Sequence, residues 1–426
     1  EGLRQAELVR EETEKEHEDI REQADETDAM FGELYSWYLR NPEYRSRVQK
    51  LVQSAFAGKP EDIISQSVAK ALYGEVSPYS ATRLERFAAC AFAHFLQYGM
   101  KLTERVEYEF KPMDMGNVMH EALESFAEEV RKRGMKWTEL TEQERNEIAD
   151  RCLDNIVADY GNTVLKSSAR NEYMIERTRR ILRRTVWALQ KQLEQGEFQP
   201  EGFEVTFGGG RIDRVDIMED QNKVYVKVID YKTGNTSFDL VYLYHGLQLQ
   251  LMIYLDGALR VEQKKYPDKE IIPAGVFYYN IKDPMIQEKI DADVEAVSAG
   301  LMKELKMNGL AQADPELVYR MDSSLGSIPV AFNKDGSFRK NSSVADRTQF
   351  AVLGRYVRTK IEKIRSSILE GDAEVSPYEL GKKNACTYCP YMTVCGFDRR
   401  LSGYEFRRLK NFSDEELWKA FDREAE

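Results

Sequence analysis

The sequence predicts an α/β fold, a small mixed sheet flanked by many helices. Three observations carry that expectation. Strand-like segments, "FEVTF", "RIDRVDIM", "KVYVKVID" and "AGVFYYNI", cluster between residues 203 and 281. Stretches of helical periodicity precede, interrupt and follow them. No internal repeat and no low-complexity tract points to a solenoid or fibrous chain.

A chain of 426 residues with 42% hydrophobic and 11% aromatic content can bury a sizeable core in two or three domains. No run of 18 apolar residues marks a membrane span, and no signal peptide opens the chain. Five cysteines are too few for a secreted disulfide scaffold, so a reducing, cytoplasmic setting is expected. The start at Glu1 rather than Met predicts a segment of something longer. The net charge of −12 argues against nucleic acid only superficially. Residues 1–30 hold twelve Asp/Glu against four Lys/Arg, −8 of that total, and the remaining body is close to neutral.

Along the chain, residues 1–75 read as helical and Glu/Arg-rich, ending at the turn-like "GEVSPYS"; we place the domain boundary at 77, with a second domain over 78–426. A helix is expected from an N-cap at Ser80 to a stop at Gly99, then a short strand over Arg105–Phe110. The next helix starts near Met115, with Met119, Ala122, Leu123, Phe126 and Val130 on one stripe. Two more follow, over 139–161 and 170–195. After the first three strands comes a long helix, 238–260, apolar nearly all round from Leu247 to Leu255 and so buried. A strand at 274–281 and a helix over 286–307 come next, then a polar loop or hairpin at 321–345. A helix over 346–370 turns Leu353, Val357, Ile361, Ile364 and Ile368 inward.

Chemistry concentrates in "VKVIDYKTG". Alternation puts Val226, Val228, Asp230 and Lys232 on one face, so two charged groups close an apolar strand face. The polar "EDQN" before it is a hairpin turn, and centring that turn between Gln221 and Asn222 sets Asp213 opposite Asp230. Opposed residues share a face with Cβ atoms about 4.5–5.5 Å apart. Two such carboxylates repel unless a cation sits between them. A divalent ion such as Mg²⁺ (or Mn²⁺) removes the conflict and suits phosphodiester hydrolysis, with Lys232 placed to orient water or offset charge. The plainer reading is a surface hairpin whose acids pair with Arg211, Arg214 and Lys232.

Other residues fit the same site. His120 lies beside the apolar stripe of its helix, where an imidazole can face the sheet and ligate the metal. Gln250 and Tyr254 share a helix face at i, i+4 in an otherwise apolar helix, where an unpaired amide is costly. Cys386, Cys389 and Cys395 form C-x2-C-x5-C, a spacing of zinc or iron–sulfur sites, with Cys90 or Cys152 as fourth ligand. In "ERTRRILRRT", Arg177, Arg180 and Arg184 form a candidate DNA-backbone stripe, and "RKRGMKW" adds Arg131, Lys132 and Arg133. A solvated basic face is the plainer reading of both. Aromatics around Tyr231 and Tyr254 could stack on unpaired bases of single-stranded DNA.

"GRIDRVD" followed by "VIDYKTG" resembles the D…(D/E)xK core of the restriction-endonuclease-like superfamily in its RecB-type branch. That branch adds G-x-x-x-H, matched by "GNVMHEAL", and Q-x-x-x-Y, matched by "QLMIY". Glu204 resembles the acid preceding this core. "YSATRLERFAACAFAHFLQYGMKL" and "ACTYCPYMTVCGFD" are similar to the carboxy-terminal region of AddB-type subunits of bacterial helicase–nucleases, over roughly 75–400. The resemblance implies a metal held by His120, Asp213, Asp230 and the Tyr231 carbonyl. It implies catalytic roles for Asp213, Asp230, Lys232, Gln250 and Tyr254. It further implies a [4Fe–4S] staple on Cys90, Cys386, Cys389 and Cys395, leaving Cys152 as core. The substrate it implies is a single, 5′-terminated DNA strand delivered by an AddA-like partner during break repair, with residues 1–77 the end of a helicase-like region. The chain has no G-x-x-x-x-G-K-[ST] loop and does not read as a motor. The rivals are a non-catalytic module that binds DNA or a partner, against which the intact acids and lysine speak, and a zinc-stapled protein of unrelated chemistry.

Overall fold

The computed structural model describes residues 27–55, 63–74, 80–103, 112–159, 168–208, 210–287, 293–401 and 403–425. The chain divides into two compact units, Glu1–Glu61 with Asp398–Tyr404, and Asp62–Phe397 with Glu405–Glu426. In the first, helix α1 (27–40) leads through Asn41, whose side chain accepts the Glu43 N–H, into α2 (Pro42–Ala55). Trp37 and Tyr44 stack there, with Tyr38 edge-on to both.

The second unit begins with α3 (Gln66–Tyr73) and α4 (Ala81–Ala89), and Ser80 caps α4 by accepting the Arg83 N–H, as expected. The helix expected to run on to Gly99 instead breaks at Cys90, which is extended at φ −165°. The break lets Phe92 donate its N–H to the Glu374 carbonyl, far along the chain. Helix resumes as α5 (Ala91–His94) and a π-helical turn, Phe95–Gly99. The strand expected at Arg105–Phe110 lies outside the described residues.

Helix α6 (Pro112–Lys132) buries Met119, Ala122, Leu123, Phe126 and Val130, the stripe read from the sequence. Then come α7 (Glu142–Asp159) and α8 (Ala169–Glu194); Thr141 and Glu144 cap α7 reciprocally. Strands β1 (Gln199–Phe207), β2 (Gly210–Asp220) and β3 (Lys223–Lys232) form an antiparallel meander. The expected helix 238–260 is two helices, α9 (Leu240–Tyr244) and α10 (Gln250–Lys265). Gly246, at φ +78°, takes the left-handed conformation between them, which a residue with a Cβ resists. Strand β4 (Glu270–Asn280) runs parallel to β3.

Helix α11 spans Val294–Glu304 rather than 286–307, with Asp293 as its cap and residues 288–292 outside the described set. Two elements were not anticipated, β5 (Asn308–Gln312), antiparallel to β4, and α12 (Pro315–Met321). The polar stretch 321–345 is mostly turns, with one bridge between Phe332 and Phe338, and ends in β6 (Val344–Ala345). Helix α13 (Arg347–Glu370) follows an Asp346/Gln349 capping box and ends at Gly371, φ +93°. A second, three-stranded sheet contains β7 (Tyr378–Leu380), β8 (Lys383–Asn384) and β9 (Arg407–Arg408). Helices α14 (Met392–Cys395) and α15 (Asp414–Ala425) complete the chain.

The main sheet has order β1-β2-β3-β4-β5-β6 and mixes parallel with antiparallel pairs. Ile229, Tyr231, Phe277 and Tyr279 pack with α6, α7 and α8 on one face. Val224, Val226, Val228 and Tyr278 pack with α4, α10 and α13 on the other. The alternation in "KVYVKVID" is therefore two cores served by one strand. Among the described residues no helix is long and apolar enough to cross a membrane.

Candidate active site

The hairpin register runs from Asp220 facing Lys223 to Arg214 facing Ile229, so the next step along both strands sets Asp213 against Asp230. On the other side of β2, Phe203 faces Arg214 and Val205 faces Ile212, so Glu204 falls opposite Asp213. Three carboxylates thus stand in a row across three adjacent strands. Glu204 holds φ +49°, a strained conformation for a residue with a side chain and one that collects at functional sites.

His120, from α6, brings its Nδ1 to 3.3 Å from Asp213 Oδ2 and 3.8 Å from Glu204 Oε1. One ligand atom from each of these three residues lies within 4.8 Å of the others. Asp230 stands outside that trio; its Oδ2 lies 2.6 Å from Lys232 Nζ. The Tyr231 N–H donates to Asp213 Oδ2 at 2.7 Å, which fixes the carboxylate across the hairpin. Of the ion pairs in the plainer reading, Lys232 does meet Asp230, whereas Arg211 pairs with Glu204 instead and Arg214 turns to the opposite face and binds Asp216.

Lys232 Nζ also donates to Gln250 Oε1 at 2.7 Å, and Gln250 Nε2 donates to Tyr254 Oη at 2.9 Å. The i, i+4 pair from α10 is therefore tied to the lysine of β3. Sequence reasoning missed Glu85 on α4, whose Oε1 accepts the Leu249 and Gln250 N–H groups at 2.7 and 2.9 Å. Its signal is an acid in the mostly apolar "RLERFAAC".

Electrostatics follow from crowding. Burial, and then repulsion from Asp213, pushes the Asp230 carboxyl up to about 7 despite Lys232. Burial opposes charge on His120, but hydrogen bonds to Asp213 and Glu204 outweigh it and raise the imidazole to about 10. This is the behaviour of acids gathered with too little positive charge among them. The donors, carboxylate oxygens and an imidazole nitrogen, are those of hard and borderline divalent ions, so the residues present fit such a metal.

Cys90, Cys386, Cys389 and Cys395 gather at a second place. Cys386 is pushed up to about 12 by burial and by the fields of Cys90, Cys389 and Cys395. Cys90 and Cys389 pack on Ala93, Leu96 and Tyr391, and Asn384 Oδ1 accepts the Cys386 and Thr387 N–H groups. Among the described residues no three cysteine sulfurs come within 4.8 Å of one another. Cys152 is buried in the main core among α6, α7 and α8.

Arg177, Arg180 and Arg184 line one cleft of about 640 Å³ with Tyr173 and Trp187. Arg180 Nε donates to Asp283 at 2.7 Å, while Arg184 lies over the Trp187 ring. Lys132 and Arg133 pair with Glu128 and Glu129 one turn back, as a solvated face does.

Over residues 78–396 the chain matches the family described as the PD-(D/E)XK nuclease superfamily. Three similar proteins, each named as the B-type subunit of an ATP-dependent helicase/deoxyribonuclease, come from Lachnoclostridium phytofermentans, Thermoanaerobacter sp. and Alkaliphilus metalliredigens. The first is 41% identical over 96% of this chain and 37% of that protein. The other two are 33% and 34% identical, over 94% and 96% of this chain and 37% and 38% of those proteins. The chain thus spans little more than a third of the length of these relatives. The nuclease and AddB-type resemblance read from the motifs, and the mixed sheet flanked by helices, are both borne out.

Proposed function

Because the chain belongs to the PD-(D/E)XK nuclease superfamily, we propose that it is a divalent-metal-dependent deoxyribonuclease that hydrolyses phosphodiester bonds of single-stranded DNA. The observation that carries this reading is the row Glu204, Asp213, Asp230 with His120 at one flank and the Lys232–Gln250 pair at the other.

His120, Asp213 and Asp230 would hold Mg²⁺ or Mn²⁺, with Glu204, which lies with His120 and Asp213, and the Tyr231 carbonyl in support. When bound, the ion supplies a Lewis acid that offsets charge on the phosphate. The chain's own residues do the rest. Asp213 is kept aimed by the Tyr231 N–H, and His120 bridges Asp213 and Glu204. Lys232 Nζ, held between Asp230 Oδ2 and Gln250 Oε1, orients the attacking water and offsets charge as the scissile P–O bond breaks. Tyr254 accepts from the Gln250 NH2, which leaves the amide oxygen turned to the lysine.

The four cysteines would hold a [4Fe–4S] cluster that staples the two ends of the domain; the approach of Cys90, at the end of α4, to Cys386, Cys389 and Cys395 supports one shared group on these thiols. Arg177, Arg180 and Arg184 contact the DNA backbone, and Trp187 and Tyr173 offer stacking surfaces beside them. By the relatives' names, the chain acts with a helicase subunit of AddA type. From the AddB-type motifs we further infer that it takes the 5′-terminated strand during break repair, with residues 1–77 the end of a helicase-like region. The test is cleavage of an end-labelled single-stranded oligonucleotide in Mg²⁺ against EDTA. Mg²⁺-dependent cleavage that Asp230→Ala abolishes supports the reading; equal cleavage by both proteins refutes it.

A further inference from the structure

The start of α10 lacks a cap of its own, since Leu249 at its N-cap position offers no side-chain acceptor. The first N–H groups of a helix have no partner within it. Here Glu85 supplies one from another helix, accepting the Leu249 and Gln250 N–H groups on a single oxygen. Gln250 is the residue whose side chain reaches Lys232 Nζ at 2.7 Å. Its backbone anchor and its lysine contact are separated only by its own side chain.

Glu85 is itself firmly seated. Helix α4 is capped by Ser80 at one end, and Arg407 donates to the Ala88 carbonyl near the other, one turn beyond Glu85. Burial pushes the Glu85 carboxyl up to about 7, and the two N–H groups work against that rise. A partly buried acid borrowed from another helix is a costly way to cap a helix when Ser or Asp at the N-cap position serves. Its place is explained if the position of α10 matters to the site.

We propose that Glu85 is a positioning residue: its carboxylate fixes the first turn of α10 and so holds Gln250 Oε1 against Lys232 Nζ. Helix α4 ends at Cys90, so the same short helix joins the cysteine cluster to the lysine. The proposal rests on the nuclease reading above.

The test compares Glu85→Ala, Glu85→Asp and Glu85→Gln in the full chain, alone and combined with Gln250→Ala, by kcat and KM for Mg²⁺-dependent cleavage. Misplacement of about 1 Å at such a contact costs about 100-fold. Glu85→Ala should therefore lower kcat by about 10- to 100-fold with KM within about twofold. Glu85→Asp is one methylene short and should do the same. Glu85→Gln keeps an acceptor oxygen and should stay within about fivefold of the parent. In the Gln250→Ala background, Glu85→Ala should add less than about twofold, because the two residues act as one unit. Full multiplication of the two effects, an unchanged kcat in Glu85→Ala, or equal damage by Gln and Ala overturns the proposal. Should Glu85→Ala not fold, the Gln-against-Asp comparison decides the same point. If the parent chain shows no Asp230-dependent cleavage, the nuclease reading itself has failed; if it does and the Glu85 pattern is absent, only this proposal falls.

Discussion

Lys232 Nζ stands 2.6 Å from Asp230 Oδ2, at the open end of the strand face that buries Val226 and Val228. The apolar run pins the strand, and the pin delivers an ammonium and a carboxylate to one place. Lys232→Met removes the charge and keeps the length. It should lower single-turnover cleavage by about 10²–10³-fold, the loss typical of one electrostatic donor at the reacting centre. Lys232→Arg should not restore it, because a planar guanidinium does not replace a compact ammonium between Asp230 and Gln250. Binding of an uncleavable oligonucleotide, measured by anisotropy, should change far less than cleavage in both.

On the other face of the same hairpin, Asp216 accepts from Arg214 and Lys227, each at 2.9 Å, and all three are buried. Burial opposes the Asp216 charge, but Arg214 and Lys227 outweigh it and hold the carboxyl below its usual range. Asp216→Ala strands two buried cations and should cost about 3–5 kcal/mol in urea unfolding. The sign with pH follows: a depressed folded value means the stabilisation is complete above the ordinary carboxylate range. It is lost as pH falls through the depressed value.

His94 gives a second pH dependence at milder acidity. It is fully buried, accepts from Arg83 Nε at 3.2 Å, and is lowered from 6.5 to about 3, by burial first and then by Arg83 and Arg86. The unfolded chain takes up this proton below about pH 6.5 and the folded chain does not. Stability should therefore fall as pH drops from 6.5 towards 3, by at most about 1.4 kcal/mol per unit from this group. The urea midpoint between pH 7.5 and 5 should show a shallower slope in His94→Gln than in the parent.

The cysteine reading makes a compositional prediction. Protein prepared without oxygen should be brown, with iron and broad absorbance near about 400 nm. Cys90→Ser or Cys386→Ser should lose the colour, and Cys152→Ser, a change in the main core, should keep the iron content. A colourless, zinc-loaded parent would contradict the cluster.

The sequence carried the hairpin register because period-two alternation and a two-residue turn admit one pairing of Asp213 with Asp230. It carried α6, apart from its first turn at Pro112, and α13 because their apolar stripes recur at helical spacing. It did not carry the break at Cys90, which depends on a hydrogen bond from Phe92 to Glu374, far away in sequence. The break between α9 and α10 had a local signal, Gly246, which the apolar run around it masked. Strand β5 is short and contains Gly309 and Asn308; it is a strand because β4 lies beside it. Glu85 had a local signal, an acid in "RLERFAAC", but its partners did not, since the N–H groups it serves are 164 and 165 positions away.

The central claim, that His120, Asp213 and Asp230 converge on one divalent ion, is tested most directly by Mn²⁺ titration of the purified chain in a calorimeter. We expect one site per chain, lost in Asp213→Ala and retained in Lys232→Met. Equal Mn²⁺ binding by the parent and Asp213→Ala would contradict the account.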